Sequence, residues 1–296
     1  MHHVFIVNPT AGKGKALQMV EKIVARFKNF AQTFEIKITE APGHAQILAK
    51  EAISTYNEVR LYSVGGDGTL NEVLNGMAGS QTELGIIPCG SGNDTVRSLY
   101  TITDPVKLIE LLPLSPSVMI DLGKLNDKYF LNIASIGFDA EVVLKGQIFK
   151  RYPFISGSMS YILGVLTCLI RLKKYKLRFM MGDAPPFEKE VLLSIFANGS
   201  HYGGGMKAAP RAEMNDGLLD FYLVDAMSRL RILKFFPVFQ KGRHESLKVV
   251  TLARGTKLLI ESQLPVPVNI DGEISKETRI AIDLLPGSLN VIIPTS

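Results

Sequence analysis

The sequence contains no apolar run approaching the roughly 20 residues that a bilayer-spanning helix needs, so any meeting with a membrane is expected from one side. Cysteine is scarce. Cys89 and Cys168 lie far apart and outside any CxxC or Cys/His cluster, which argues against a disulfide framework and fits a reducing, cytoplasmic setting. The opening HHVFIVNP is strand-sized and ends in a turn, without the longer apolar core of a signal peptide. Internal repeats and low-complexity linkers are also lacking. So are two common phosphate fingerprints. A Walker A loop at Gly14 and Lys15 would need Gly and Ser or Thr where Pro9 and Ala16 stand, and after Gly66 and Gly68 the Rossmann spacing needs Gly where Asn71 stands. Charge excess is mild: 33 Lys and Arg against 28 Asp and Glu give +5, which alone chooses neither a nucleotide, a nucleic acid nor an anionic bilayer. The basic residues form no recognisable nucleic-acid reading motif.

What is present is a chain of 296 residues, 46% hydrophobic, large enough for a substantial core and two domains. The first 120 residues alternate strand-like runs (HVFIV, FEIKI, VRLYSV, LGIIP) with helical spacing over 15–30, 44–55 and 69–78, the habit of a parallel sheet covered by helices. Asp104 before Pro105 reads as a helix cap. After about 121 the pattern becomes many short strands with Gly and Pro turns: YFLNIAS, KLRFMM, EVLLSIFAN, LLDFYLV, KLLIE, PVNID and RIAIDLL. That composition predicts an antiparallel sandwich or barrel, interrupted by helices near 158–172 and 228–241. The expected division is an α/β domain over 1–122 with the tail 286–296, whose LNVIIP is read as a strand returning to it, and a β-sandwich domain over 123–285.

The most informative segment is VGGDGTLNEV, residues 64–73, where a strand runs through GGDGT into a helix. Its glycines allow close backbone approach, and a helix start offers N–H groups and a positive dipole end, a cradle for phosphate. Asp67 would repel phosphates unless a Mg²⁺ ion or a polar contact stands between them. Thr69 and Glu72 also match a capping box, which does not exclude phosphate binding. NPTAGKGK and PCGSGNDTVR follow the first and fourth strands, so the three loops are expected to converge on one sheet edge. Asp271-Gly272 reads, from the residues alone, as a hairpin turn.

GGDGTLNE, PxGSGND, HYGGGMKAAPRAEMNDGLLD and NIDGE, in this order, resemble the soluble bacterial diacylglycerol kinases, relatives of sphingosine and ceramide kinases. The resemblance covers nearly the whole chain. It implies an α/β nucleotide-binding domain of the NAD kinase and phosphofructokinase type joined to a β-sandwich lipid-substrate domain, with the active site in the cleft between them. It implies ATP against Asn8, Thr10, Thr39, Gly66, Asp67, Gly68, Thr69, Leu70, Asn71, Glu72 and Ser91. Ser91 stands where the family usually has Thr, and Thr95 where Phe commonly follows the ND pair. Glu273 matches the family's general base, and Asp67, Asp94 and Asp121 a carboxylate network around a catalytic Mg²⁺. A structural Mg²⁺ site is implied at Glu213, Asp216 and the carbonyl of Leu218.

The partners expected are diacylglycerol or a similar lipid and an anionic membrane surface; a homodimer is compatible with the sequence. MSYILGVLTCLI, followed by RLKKYKLR, and KFFPVFQKGR are the candidate docking segments, with an interior helix ending in a solvated basic strand as the bland alternative. Other readings are a kinase for NAD or a sugar, whose acceptors dissolve in water, and a nucleotide-binding regulator without catalysis.

Overall fold

A computed structural model describes residues 1–295 apart from 29, 31, 150, 151, 153, 156 and 183, and it divides the chain into two compact units, Met1–Leu122 with Gly287–Ser296, and Gly123–Pro286. Residue 29 of the helix expected over 15–30 and residue 296 of the expected tail lie outside the described residues.

In the first unit the alternation of apolar runs and helical spacing yields β1 (His2–Val7), α1 (Lys15–Phe27), β2 (Thr33–Ile38), α2 (His44–Thr55), β3 (Val59–Gly65), α3 (Asp67–Met77), β4 (Glu83–Pro88), α4 (Asp94–Leu99) and α5 (Pro105–Leu111). The strands lie in the order β4-β3-β1-β2 and every pairing is parallel. Parallel strands are covered on both faces, which is why β1, β3 and β4 are apolar without alternation and almost wholly buried. α1 buries Ala16, Met19, Ile23 and Phe27, spaced three and four apart, and the Phe27 ring meets Phe5 at 5.2 Å. Asp104 caps α5 by accepting the Lys107 N–H at 2.9 Å. All carboxyl ends of a parallel sheet face the same way, so the loops after β1, β2, β3 and β4 emerge along one edge.

The second unit contains β5 (Ser117–Leu125, entering from the first unit), β6 (Lys128–Phe130), β7 (Ile133–Gly137), α6 (Phe138–Phe149), α7 (Gly157–Ile170), β8 (Tyr175–Met180), β9 (Phe187–Ala197), β10 (Leu219–Asp225), α8 (Arg229–Gln240), β11 (Val250–Gly255), β12 (Lys257–Ile270) and β13 (Glu273–Ile292). It is an antiparallel sandwich: β9 and β12 share two partners, β7 toward one end and β8 toward the other. One core, with Phe130, Phe179, Phe196, Phe221 and Ile260, fills the inside; a second joins the sheet to α6, α7 and α8 through Phe138, Val165, Tyr222 and Phe235. α6 and α7 cross closely, since a Cβ on Gly164 would lie 2.6 Å from the Val142 carbonyl oxygen.

Three features differ from the sequence-based expectation. YFLNIAS is two strands, because the N–H groups at its middle turn to the Asp271 carboxylate instead of a neighbouring strand. KLLIE and PVNID are one strand, β12, with a register break between Glu261 and Val266, and RIAIDLL runs on into LNVIIP as the 20-residue β13. The end of β13 pairs parallel with β4, Asn290 opposite Glu83. α6 was not anticipated. Its Val142 is buried while Leu144 and Ile148 are exposed, so apolar residues occupy several faces and blur the helical period.

Candidate active site

Three loops meet at the carboxyl edge of the first unit's sheet. Gly12 has φ +61°, and a Cβ there would fall 1.9 Å from the Cys89 carbonyl oxygen. A Cβ on Gly90 would fall 2.5 Å from the Gly66 Cα, so the loops after β1, β3 and β4 touch backbone to backbone. Asn8 pins two of them: its Nδ2 donates to Thr69 Oγ1 at 3.0 Å, while its Oδ1 accepts from the Thr10 N–H at 3.1 Å and the Thr10 hydroxyl at 2.9 Å. Thr39 follows β2 and donates its N–H to the Val7 carbonyl at 2.9 Å. Cys89 is buried, with its thiol pushed up to about 11 by desolvation, so it acts as packing beneath these loops.

α3 starts at Asp67, with Gly66 as its cap residue, and the N–H groups of its first turn point out of the helix end. Gly68 and Ser91 are exposed beside it. The capping-box expectation is corrected here: Thr69 lies inside the first turn and is taken by Asn8, and the Glu72 carboxylate accepts the N–H groups of Gly43 at 2.8 Å and Ala45 at 3.1 Å. Glu72 therefore caps the neighbouring α2, and Leu70 and Asn71 are buried in the helix. Of the residues expected at the nucleotide, the structure brings Asn8, Thr10, Gly66, Asp67, Gly68 and Thr69 together with the Gly90–Asp94 loop, while Leu70 and Glu72 serve the scaffold.

Asp67 and Asp94 crowd one spot. A Cβ on Gly92 would lie 2.9 Å from Asp67 Oδ2 and 3.5 Å from Asp94 Oδ2. The Asp67 carboxyl is raised from 3.8 to about 6, first by burial and then by the charge of Asp94, against backbone N–H groups of Thr95, Asn93 and Asp94 that lower it. Two adjacent carboxylates with this penalty fit a divalent cation, and one or two carboxylates plus phosphate oxygens and water are what Mg²⁺ takes. Asp121 is buried in β5 and accepts the Gly287 N–H at 2.8 Å. Asn93, with φ 52° and its side chain bonded to both the N–H and C=O of Gly90, shapes this loop; only its place in GSGND pointed to it.

In the second unit, Asp271 (φ 48°) and Gly272 (φ 101°) form the two-residue turn between β12 and β13, and Glu273 is the exposed first residue of β13. The turn is more than a hairpin. The Asp271 carboxylate accepts the N–H groups of Leu131 at 2.7 Å, Ile133 at 2.8 Å and Asn132 at 3.2 Å.

The implied structural metal site does not fit a resident divalent ion. Asp216 Oδ1 accepts the Leu218 N–H at 3.0 Å, and its other oxygen pairs with Arg254, whose Nε also holds Asp220 at 2.7 Å. The cavity of about 410 Å³ lined by Glu213, Asp216 and Asp220 thus already contains a guanidinium, and Arg211 lines it too. Among the described residues no three acidic, His or Cys side chains are grouped to hold a metal.

A parallel α/β unit continued by an antiparallel sandwich is the fold shared by diacylglycerol kinases and NAD kinases. The comparisons agree. Residues 2–125 match the diacylglycerol kinase catalytic domain, and residues 132–293 the YegS C-terminal NAD kinase beta sandwich-like domain. The chain belongs to this lipid kinase family. It is 30% identical to a diacylglycerol kinase of Mycobacterium tuberculosis, over 98% of this chain and 94% of that one. It is 31% identical to the "Probable lipid kinase YegS-like" of Chromohalobacter salexigens, over 96% and 91%. A solved diacylglycerol kinase structure from Bacillus anthracis str. Sterne superposes with a TM-score of 0.75 at 24% identity, covering 98% of this chain and 96% of that one. An NAD kinase from Archaeoglobus fulgidus in complex with ATP shares the fold at a TM-score of 0.52 and 14% identity, covering 99% and 93%. No described helix is long and apolar enough to cross a membrane.

Proposed function

We propose that this lipid kinase transfers the γ-phosphoryl group of ATP to the hydroxyl of a membrane lipid, diacylglycerol being the leading acceptor and phosphatidic acid the product. The observation that carries the reading is the convergence of three loops on the α3 start with the Asp67–Asp94 pair beside it. Phosphoryl transfer needs positioning and charge neutralisation more than covalent chemistry. The first-turn N–H groups of α3, with Gly68 giving access, hold the phosphates; Asn8, Thr10, Thr39 and Ser91 line the nucleotide's approach. Mg²⁺, when bound, is held by Asp67 and Asp94 and supplies neutralising charge at the phosphates. Asp121 belongs to the surrounding carboxylate and water network. Glu273 takes the proton of the lipid hydroxyl as that oxygen attacks the terminal phosphorus, and ADP leaves.

The enzyme works from the cytoplasmic face, docking reversibly on anionic membrane. Met159, Ile162, Leu166 and Ile170 form one exposed apolar stripe on α7, alongside the buried Val165, Cys168 and Leu169. Leu230 and Leu233 of α8 are 74% and 48% exposed, and Arg229 bridges the helices by donating to the Ile170 carbonyl at 3.0 Å. Arg171, Arg231 and Lys234 are exposed around this face. Lys173 and Lys174 are paired with Glu141 at 2.5 Å and Glu190 at 3.4 Å, exposed ion pairs of about 0–1 kcal/mol that exchange readily for lipid phosphates. An apolar stripe rimmed by cations fits the headgroup region of an anionic bilayer.

The deciding experiment supplies labelled ATP and Mg²⁺ with mixed micelles of diacylglycerol, monoacylglycerol, a sphingoid base or ceramide, and with NAD as a water-soluble acceptor. Label in phosphatidic acid supports the reading. Label in NAD alone, or in no acceptor while ATP binds, overturns it.

A further inference from the structure

The proposed mechanism leaves the buried carboxylate of Asp139 without a role. Asp139, at the start of α6, is 0% exposed and stands at the meeting point of β7, α7 and β12. Its Oδ2 accepts from the Ser135 hydroxyl at 2.6 Å and from Asn269 Nδ2 at 3.1 Å, and its Oδ1 accepts from the Tyr161 hydroxyl at 3.0 Å. Asn269 passes the chain on: its Oδ1 accepts the Gly272 N–H at 2.8 Å, in the turn that delivers Glu273. Only this amide orientation serves both neighbours, because the carboxylate accepts and the backbone N–H donates. At the other end Tyr161 sits on α7 beside Ile162 of the exposed stripe, and its hydroxyl lies 3.4 Å from that of Tyr202. Burial raises the Tyr161 phenol well above its ordinary range, so it stays a donor throughout the working pH range. Buried networks of this kind cost much when broken and admit few alternative arrangements.

We propose that Asp139 is a positioning residue: through Asn269 it sets the turn that carries Glu273, and through Tyr161 it ties that turn to α7, so that docking of the apolar helix and placement of Glu273 are coupled. Three hydrogen bonds span the route from an apolar, membrane-type helix face to the backbone N–H next to Glu273. A shift of α7 on meeting lipid changes the Tyr161 bond first, and Asn269 has no other way to satisfy both its partners. The inference rests on the reading of Glu273 as base and α7 as docking face.

The test compares turnover on diacylglycerol in anionic vesicles with turnover on a short-chain diacylglycerol kept monomeric. Wild-type protein is expected to work faster on the vesicles. Tyr161→Phe, which keeps the ring and its packing, is expected to still pellet with vesicles and keep its KM for ATP, but to lose most of the vesicle advantage, with kcat on vesicles down about tenfold. Asp139→Asn is expected to do the same more severely, and Tyr161→Phe alone suffices if it fails to fold. A purely structural role would lower both rates together and leave their ratio alone; an unchanged ratio in Tyr161→Phe overturns the coupling. Two controls separate this from failure of the underlying reading. If Glu273→Gln keeps full turnover, or wild-type protein ignores the vesicles, the functional reading falls and the coupling with it; if both controls behave, an unmoved ratio condemns the coupling alone.

Discussion

Asp67→Asn should make the nucleotide-free protein more stable while destroying its activity. The wild-type carboxyl is raised from 3.8 to about 6 by burial and by Asp94. A group whose folded-state value lies above its unfolded value binds its proton more tightly when folded, so its contribution to stability is most favourable below about 4 and is lost as pH rises through about 6. The gap between 3.8 and about 6, at about 1.4 kcal/mol per pH unit, gives about 3 kcal/mol. The residue keeps some exposure, so about 2 kcal/mol is the working figure. Asparagine never charges, retains one oxygen for the backbone N–H groups and offers an NH₂ to Asp94. Denaturant unfolding in EDTA without nucleotide, repeated from pH 4 to pH 8, should show the variant's advantage growing from near zero to about 2 kcal/mol. Added Mg²⁺ should narrow the difference by stabilising wild-type protein alone. A variant no more stable than wild type at pH 8, or an advantage independent of pH, would refute the crowding of Asp67 against Asp94.

Other consequences are simpler to check. Glu72→Ala removes the acceptor for two N–H groups at the start of α2 and should cost about 1–2 kcal/mol in unfolding measurements, with catalysis reduced far less than by Asp67→Asn. Gly12→Ala drives a Cβ into the Cys89 carbonyl at a positive φ, so it should lose at least about 2 kcal/mol and most ATP affinity in calorimetry. Glu273→Gln, at an exposed position, should keep its melting temperature and ATP binding while phosphoryl transfer falls by about 100-fold or more in the labelled-ATP assay. Leu166→Asp puts a charge in the α7 stripe and should reduce pelleting with anionic vesicles, leaving ATP binding intact; undiminished pelleting would reject that face.

The parallel half was readable because β1, β3 and β4 are mostly apolar runs closed by turn signals, and α2 spans the residues, His44–Thr55, that its spacing predicts. The antiparallel half was readable in kind but not in length. Pro265 and Pro267 in β12 and Pro286-Gly287 in β13 look like ends of strands, yet the backbone carries the ladder past them with a register break and a positive φ at Gly287. At the glycine-rich loop after β3, residue types pointed to Asp67 and the glycines, because that pattern is local. They misjudged Glu72, since a carboxylate three residues after a threonine looks the same whether it caps its own helix or, through the packing of α2 against α3, a neighbour's. Asp139 and Asn269 lie 130 residues apart and meet only through the fold.

The final strand has a consequence for how this chain is made. Its last residues complete a sheet begun by the first: Asn290 and Val291 pair with β4, Tyr100 donates to the Ile292 carbonyl at 2.8 Å, and Ile293 donates to Pro116 at 3.0 Å. On the ribosome the α/β unit therefore starts first and finishes last, waiting unsealed while the entire sandwich is synthesised. A fragment cut after Leu122 leaves one flank of β4 bare, and expressing the unit by itself requires grafting residues 287–295 back through a linker.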